Sequence, residues 1–168
     1  YNIFLIGFMG SGKSTVADYL CEKFDMDVVE MDQVIAERER MSISDIFEKH
    51  GELYFRDLET KLLVELQEKT NTVVSCGGGV AMRECNVTEM KKNGKVVLLT
   101  AKPETILERV ENNHDRPLLE NNKTVAYIAE LMEKRREKYE AAADMIIETD
   151  GKSAQKICEE MIQRLGEQ

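Results

Sequence analysis

The sequence predicts an α/β fold, a five-stranded parallel sheet flanked by helices. Short runs of aliphatic and β-branched residues alternate with amphipathic stretches along all 168 residues, the order that builds a parallel sheet covered on both faces. Val73-Val74 and Val96-Val97-Leu98-Leu99 are apolar without a break, as strands buried on both sides must be. A third observation locates the first strand: Ile3-Phe4-Leu5-Ile6 runs directly into Gly7-Phe8-Met9-Gly10-Ser11-Gly12-Lys13-Ser14. That octet matches G-x-x-x-x-G-K-[ST], a loop that joins a strand to a helix and cradles phosphate.

Taken in order, the first strand is expected at Asn2–Ile6 and the first helix at Lys13–Phe24, with Val16, Ala17, Leu20, Cys21 and Phe24 at helical spacing. A strand at Asp27–Glu30 precedes helices at Gln33–Arg40 and Ser44–His50. Ser42-Ile43-Ser44-Asp45 offers capping oxygens to the second of these. A helix at Leu53–Lys69 carries the stripe Phe55, Leu58, Leu62, Leu66, and the strand Thr72–Cys76 follows. Next come a helix at Glu84–Lys92, with Gly94 as its stop, and a strand at Lys95–Thr100. Pro103 suits the first turn of a helix to Asn112 that buries Ile106, Leu107 and Val110. His114–Lys123, with Pro117 and paired asparagines, is expected as an irregular lid at about 113–123. A helix at Thr124–Tyr139, a strand at Asp144–Glu148 and a helix at Ser153–Leu165 close the chain. No repeat, heptad or low-complexity linker divides it, so a single domain over 1–168 is expected.

Composition narrows the partners. The net charge is −9, from 32 acids against 23 bases, which disfavours nucleic acid because binding to it rests on Lys and Arg. A small anion needs only a local cluster of cations. No apolar run approaches the ~20 residues of a membrane span, and no signal peptide is visible, so a cytoplasmic location is expected. The four cysteines lie far apart without a C-x-x-C pair, which argues for reduced thiols and against zinc. No exposed apolar stripe is evident, so the expectation is a monomer.

The chemistry is carried by a few clusters. In the first loop the backbone around Gly10, Ser11 and Gly12 can turn its N–H groups on a β-phosphate, Lys13 can reach the β/γ oxygens, and Ser14 can ligate Mg²⁺. Switch GTPases need N-K-x-D and D-x-x-G; here Asn122-Lys123 is followed by Thr124-Val125, and D-x-x-G is missing. The strand Thr72–Cys76 ends in Gly77-Gly78-Gly79 rather than in the acid of a large ATPase. Size and lid therefore favour a kinase of a small molecule. Three glycines after a buried strand cost entropy and pack nothing, so something approaches their backbone closely. Glu30-Met31-Asp32 ends the second strand, where open α/β sheets bind ligands. One acid there can hold a metal-bound water and the other can accept a hydroxyl proton, although Asp32 also suits a simple helix cap. Arg56, Arg109, Arg116 and Arg135 are candidates for the extra cations that phosphoryl transfer requires.

These segments together resemble shikimate kinase over essentially the whole chain. The resemblance rests on Leu5–Thr15, Met41–Phe47, Gly51–Arg56, Gly77–Gly79, Arg116–Leu119 and Arg135–Tyr139. It implies a fold like the nucleoside monophosphate kinases, ATP and Mg²⁺, and transfer of the γ-phosphoryl group to the 3-hydroxyl of shikimate. It further implies that Asp32 orients the reacting hydroxyl, that Arg56 and Arg135 clamp the substrate carboxylate, and that Gly77, Gly78 and Gly79 give backbone donors. Lys13 and Arg116 would stabilise the transferring phosphate; Gly10 to Thr15 and Arg109 would hold the nucleotide. The substrate region would span about 32–60. The family usually has Asp where this chain has Glu30, so Mg²⁺ held through water is expected to meet altered geometry. The competing readings are a kinase of another hydroxy acid such as gluconate, and an ATP-binding regulatory module without turnover.

Overall fold

A computed structural model describes residues 2–110 and 124–166, with the side chain of Val110 outside the description. The expected lid at 113–123, Arg116 within it, and the last two residues of the helix expected to end at Asn112 lie outside the described residues. Five parallel strands form one sheet in the order β2-β3-β1-β4-β5. They are β1 Asn2–Ile6, β2 Asp27–Glu30, β3 Thr72–Ser75, β4 Gly94–Thr100 and β5 Met145–Glu148. The helices are α1 Lys13–Phe24, α2 Met31–Glu39, α3 Ile43–His50, α4 Glu52–Glu65, α5 Glu84–Lys92, α6 Pro103–Val110, α7 Val125–Ala142 and α8 Ala154–Gly166. Short 3₁₀ turns follow α4 at Leu66–Glu68 and precede α5 at Val80–Met82.

Strand periodicity sorts the core. Phe4, Ile6, Val74, Val96 and Leu98 enter one buried cluster with residues of α2, α3, α4, α5 and α7. Their alternates Ile3, Leu5, Val73, Val97 and Leu99 enter another with Val16 and Leu20 of α1 and Ile157, Cys158 and Met161 of α8. Phe4 pairs with Val74 and Val96, so the parallel register aligns same-face residues across the sheet. Each such side chain contributes about 1.5–3 kcal/mol through burial.

The structure moves several expected boundaries. α2 begins at Met31, two residues early, which puts Asp32 in a helical first turn instead of on the strand end. α7 continues to Ala142 because Tyr139 and Ala142 are both buried. Of the expected stripe on α4, Phe55, Leu62 and Leu66 are buried and Leu58 only partly so, and the same face buries Glu59 and Leu63 as well. Phe24, expected on the buried face of α1, is 41 % exposed. Gly94 is no helix stop: it opens β4, and the cap of α5 is Asn93. A Cβ on Gly94 would stand 2.6 Å from the Phe4 ring and 2.7 Å from the Asn2 carbonyl oxygen, so close packing on β1 explains the glycine.

Candidate active site

The strand order decides what meets. β2, β3 and β1 lie side by side, and their carboxyl ends carry Glu30 with Asp32, Gly77–Gly79, and the loop Gly7–Gly12. Ligands of open α/β sheets bind at this edge. A cleft of about 780 Å³ opens there, lined by Lys13, Ser14, Asp32, Arg56, Arg109 and Arg135 among others. That volume suits a small-molecule site. Gly10, Gly12, Thr15, Glu30 and all three glycines of the run line it too, so every expected site residue within the described chain except Ser11 borders one space. Ser11, in the same loop, is 1 % exposed.

Gly12 caps α1 with φ 104°, a left-handed conformation open to glycine. The helix thereby starts with its first residues, Lys13 to Thr15, at the cleft, where a helix N-terminus favours an anion. The Lys13 ammonium donates to the carbonyls of Gly7 at 2.6 Å and Phe8 at 3.2 Å, which holds it across its own loop. Arg109, from α6, donates to the Gly10 carbonyl at 2.9 Å and to Thr149 Oγ1 at 3.3 Å. Thr149, just beyond β5, is 1 % exposed, and its hydroxyl reaches the carbonyls of Ser11 at 3.1 Å and Thr100 at 2.9 Å. Sequence reasoning missed this pin on the loop; a lone Thr after a strand carries no signal of it.

The glycine run faces charges. A Cβ on Gly77 would stand 2.6 Å from Glu59 Oε2 and 2.9 Å from Asp32 Oδ1, and one on Gly78 would stand 3.1 Å from Arg135 Nη1. On Gly79 it would overlap the Arg56 guanidinium. What approaches the backbone is therefore the protein's own carboxylates and arginines, two acids at Gly77 and one arginine each at Gly78 and Gly79. Gly79 has φ −99° and ψ 0°, which alanine tolerates, so the constraint is steric. Gly79→Ala is expected to displace Arg56 and raise the KM for the anionic acceptor at least tenfold with little change in the KM for nucleotide, as read by steady-state kinetics.

Arg56 pairs with Glu59 at 2.8 Å and Glu52 at 3.0 Å, and its guanidinium lies 5.5 Å from the Phe55 ring centroid and 5.9 Å from that of Phe47. Arg135, from α7, stands 5.6 Å from the Phe8 ring centroid, one helical turn before Tyr139, whose hydroxyl donates to the Gly78 carbonyl at 2.5 Å. Both arginines are held on aromatic faces, which orient a cation while leaving donors available.

Glu59 is the residue the sequence reading lacked. It is fully buried, and burial pushes its carboxyl from 4.5 up to about 7, opposed by Arg56 and assisted by the negative charge of Asp32. Its Oε2, and Nη1 of Arg135, are buried without a hydrogen-bond partner among the described residues. Buried polar atoms are seldom left so, and both stand against the glycine run. The available signal was spacing: Phe55, Glu59, Leu62 and Leu66 share one helical face. Cys76, at the end of β3, is driven upward by burial and stays a thiol, a packing residue.

A phosphate-cradling loop at the carboxyl edge of a parallel sheet, sharing one cleft with carboxylates and arginines that include Asp32, Glu59, Arg56 and Arg135, defines a P-loop kinase of a small molecule. The shikimate kinase family model matches residues 9–166, and the chain belongs to the shikimate kinase family. It is 45 % identical to a shikimate kinase of Persephonella marina over 164 residues, 98 % of either chain. Among solved structures it resembles the shikimate kinase of Acinetobacter baumannii in complex with shikimate, with TM-score 0.92 and 33 % identity over 98 % of this chain and 92 % of that one. The shikimate kinase of Aquifex aeolicus superposes with TM-score 0.84 and 38 % identity, covering 99 % of this chain and 96 % of that one.

Proposed function

We propose that this chain transfers the γ-phosphoryl group of ATP to the 3-hydroxyl of shikimate, forming shikimate 3-phosphate for aromatic amino acid synthesis. The observation that carries this reading is the meeting of Arg56, Arg135 and Asp32 on Gly77–Gly79, beside the phosphate loop. Two arginines suit a carboxylate, and an acid beside them suits a hydroxyl.

In the proposed reaction Arg56 and Arg135 hold the substrate carboxylate and the glycine backbone donates to its hydroxyls. Asp32 accepts the proton as the hydroxyl oxygen bonds to the γ-phosphorus; the bond to the bridging oxygen breaks, and ADP leaves. Lys13 and the start of α1 bear the charge developing on the phosphoryl oxygens, and Arg109 lies against the nucleotide. Arg116, outside the described residues, keeps the phosphate-stabilising role that the resemblance implies. Transfer of this kind depends on positioning and electrostatics more than on covalent chemistry.

Mg²⁺ fits the donors present. Ser14 gives a hydroxyl, Glu30 and Asp32 line the same cleft, and no cage of three His, Cys, Asp or Glu forms among the described residues. Mg²⁺ is commonly held by few protein oxygens plus phosphates and water. Ser14 would hold the ion and Glu30 its water shell, and when bound the ion would supply charge neutralisation of the nucleotide phosphates. No described helix is long and apolar enough to cross a membrane; a cytoplasmic location is proposed from membership of the family.

The test is ADP release from ATP, with Mg²⁺ and with the metal chelated, against shikimate, quinate, gluconate and AMP. Release that needs both shikimate and Mg²⁺ is the expected result. Turnover on gluconate without turnover on shikimate would replace the substrate, and no turnover on any acceptor would favour the regulatory module.

A further inference from the structure

A buried polar cluster outside the cleft links two of its walls. Asn86 of α5 is 1 % exposed. Its Nδ2 donates to the Val80 carbonyl at 2.9 Å, and its Oδ1 stands 2.7 Å from Thr60 Oγ1 on α4. Thr60 Oγ1 also lies 3.1 Å from the Arg56 carbonyl. Arg83 Nη1 reaches three acceptors on α4: Asp57 Oδ1 at 3.0 Å, Thr60 Oγ1 at 3.1 Å and the Arg56 carbonyl at 3.3 Å.

Counting hydrogens gives the cluster a direction. A threonine hydroxyl has one hydrogen and two lone pairs, and the shorter contact assigns that hydrogen to Asn86. Thr60 then accepts from Arg83, whose Nη1 has two hydrogens for three acceptors, so the Arg56 carbonyl at 3.3 Å shares the hydrogen that Thr60 accepts. The chain runs from Arg83 through Thr60 and Asn86 to the Val80 carbonyl, each member donating onward to the next. Asn86 is its buried centre and Arg83 its partly exposed end, and a hydrogen-bonded network of this kind stiffens the elements it joins.

Its two ends are parts of the site. At one end is the backbone of Arg56, whose side chain faces the acceptor. At the other is Val80, next to Gly79, whose Cα stands against that same guanidinium. We infer that Arg83, Thr60 and Asn86 are positioning residues for acceptor binding. They lock the α4 turn carrying Arg56 to the turn that follows the glycine run, so the two sides of the carboxylate clamp form one preset unit. The inference rests on the proposed roles of Arg56 and Gly77–Gly79.

Thr60→Val removes the hydroxyl at nearly constant volume, and Thr60→Ser restores it. The expected result is a rise of roughly tenfold in the KM for shikimate with Thr60→Val, with kcat and the KM for ATP within about twofold, and recovery with Thr60→Ser. A loss of thermal stability with the KM for shikimate unchanged would overturn the inference, as would an equal rise in both KM values. Hydrogen exchange on the protein alone reads the coupling without reference to substrate. Thr60→Val should speed exchange of the amides over 79–86 while leaving β1 unchanged, and equal protection in wild type and variant would overturn the lock. If wild type failed to turn over shikimate yet showed the exchange effect, the functional reading would fail and the mechanical lock would stand.

Discussion

Asp32→Asn is expected to lower turnover on shikimate by about 10²–10⁴-fold, the usual range for losing a positioned proton acceptor. Asparagine keeps the shape and one oxygen of Asp32 in the first turn of α2 but takes no proton from the acceptor hydroxyl. Because phosphoryl transfer passes through a loose transition state, with little proton transfer required early, the lower part of that range is favoured. The KM for ATP should change little, since Lys13 and α1 sit on a separate strand end. A second consequence is electrostatic. The charge of Asp32 helps hold the Glu59 carboxyl high, so its removal should lower the Glu59 pKa, as an NMR titration of the side-chain carboxyl would read. Initial rates of ADP release check the first effect, and turnover within threefold of wild type would remove Asp32 from the role of base.

Arg56→Ala is expected to injure stability and binding together. Glu59 is fully buried and ion-paired to Arg56 at 2.8 Å. Removing one member of such a pair typically costs about 3–5 kcal/mol, because the remaining charge is buried alone. For a chain of this size that corresponds to a fall in Tm of roughly 6–20 °C. The pH dependence has a definite sign. The folded-state pKa of Glu59 is raised from 4.5 to about 7 by burial, against the opposing charge of Arg56. The folded protein thus binds this proton more tightly than the unfolded chain. The stability that Glu59 contributes is complete below about 4.5 and is lost as pH rises to about 7. Without Arg56 the carboxyl moves higher still, and the window of loss extends further up. The variant should therefore approach wild-type stability at pH 5 and fall well below it at pH 8, as thermal melts at the two pH values would show. Adding Glu59→Gln should recover much of the stability at pH 8, while the KM for shikimate stays raised by about 10- to 100-fold through the lost charged hydrogen bonds. Stability equally reduced at both pH values would mean that Glu59 is not the cause.

Legibility in the sequence followed the range of the interaction concerned. The phosphate loop could be read because all its parts are contiguous: a strand, glycines that permit the turn, and a helix whose first residues are Lys13 and Ser14. The central strands β1, β3 and β4 could be read because burial on both faces leaves an apolar run, and the five-stranded parallel sheet came out as expected. Arg56 and Arg135 taken singly look like surface arginines, and only the resemblance to a family marked them as partners.

The sequence by itself determined the class of fold, the nucleotide loop and the family, since these depend on local backbone geometry and on patterns within a few residues. The tertiary structure alone decided that β2, β3 and β1 are neighbours, and therefore that Asp32, Gly77–Gly79 and the phosphate loop share a cleft. It also decided that each glycine of the run faces a charge, that Glu59 is buried with its proton affinity raised, and that Thr149 pins the loop from across the sheet. Those features depend on which distant segments meet and on how much water is excluded where they do, and neither is written in the order of residues along the chain.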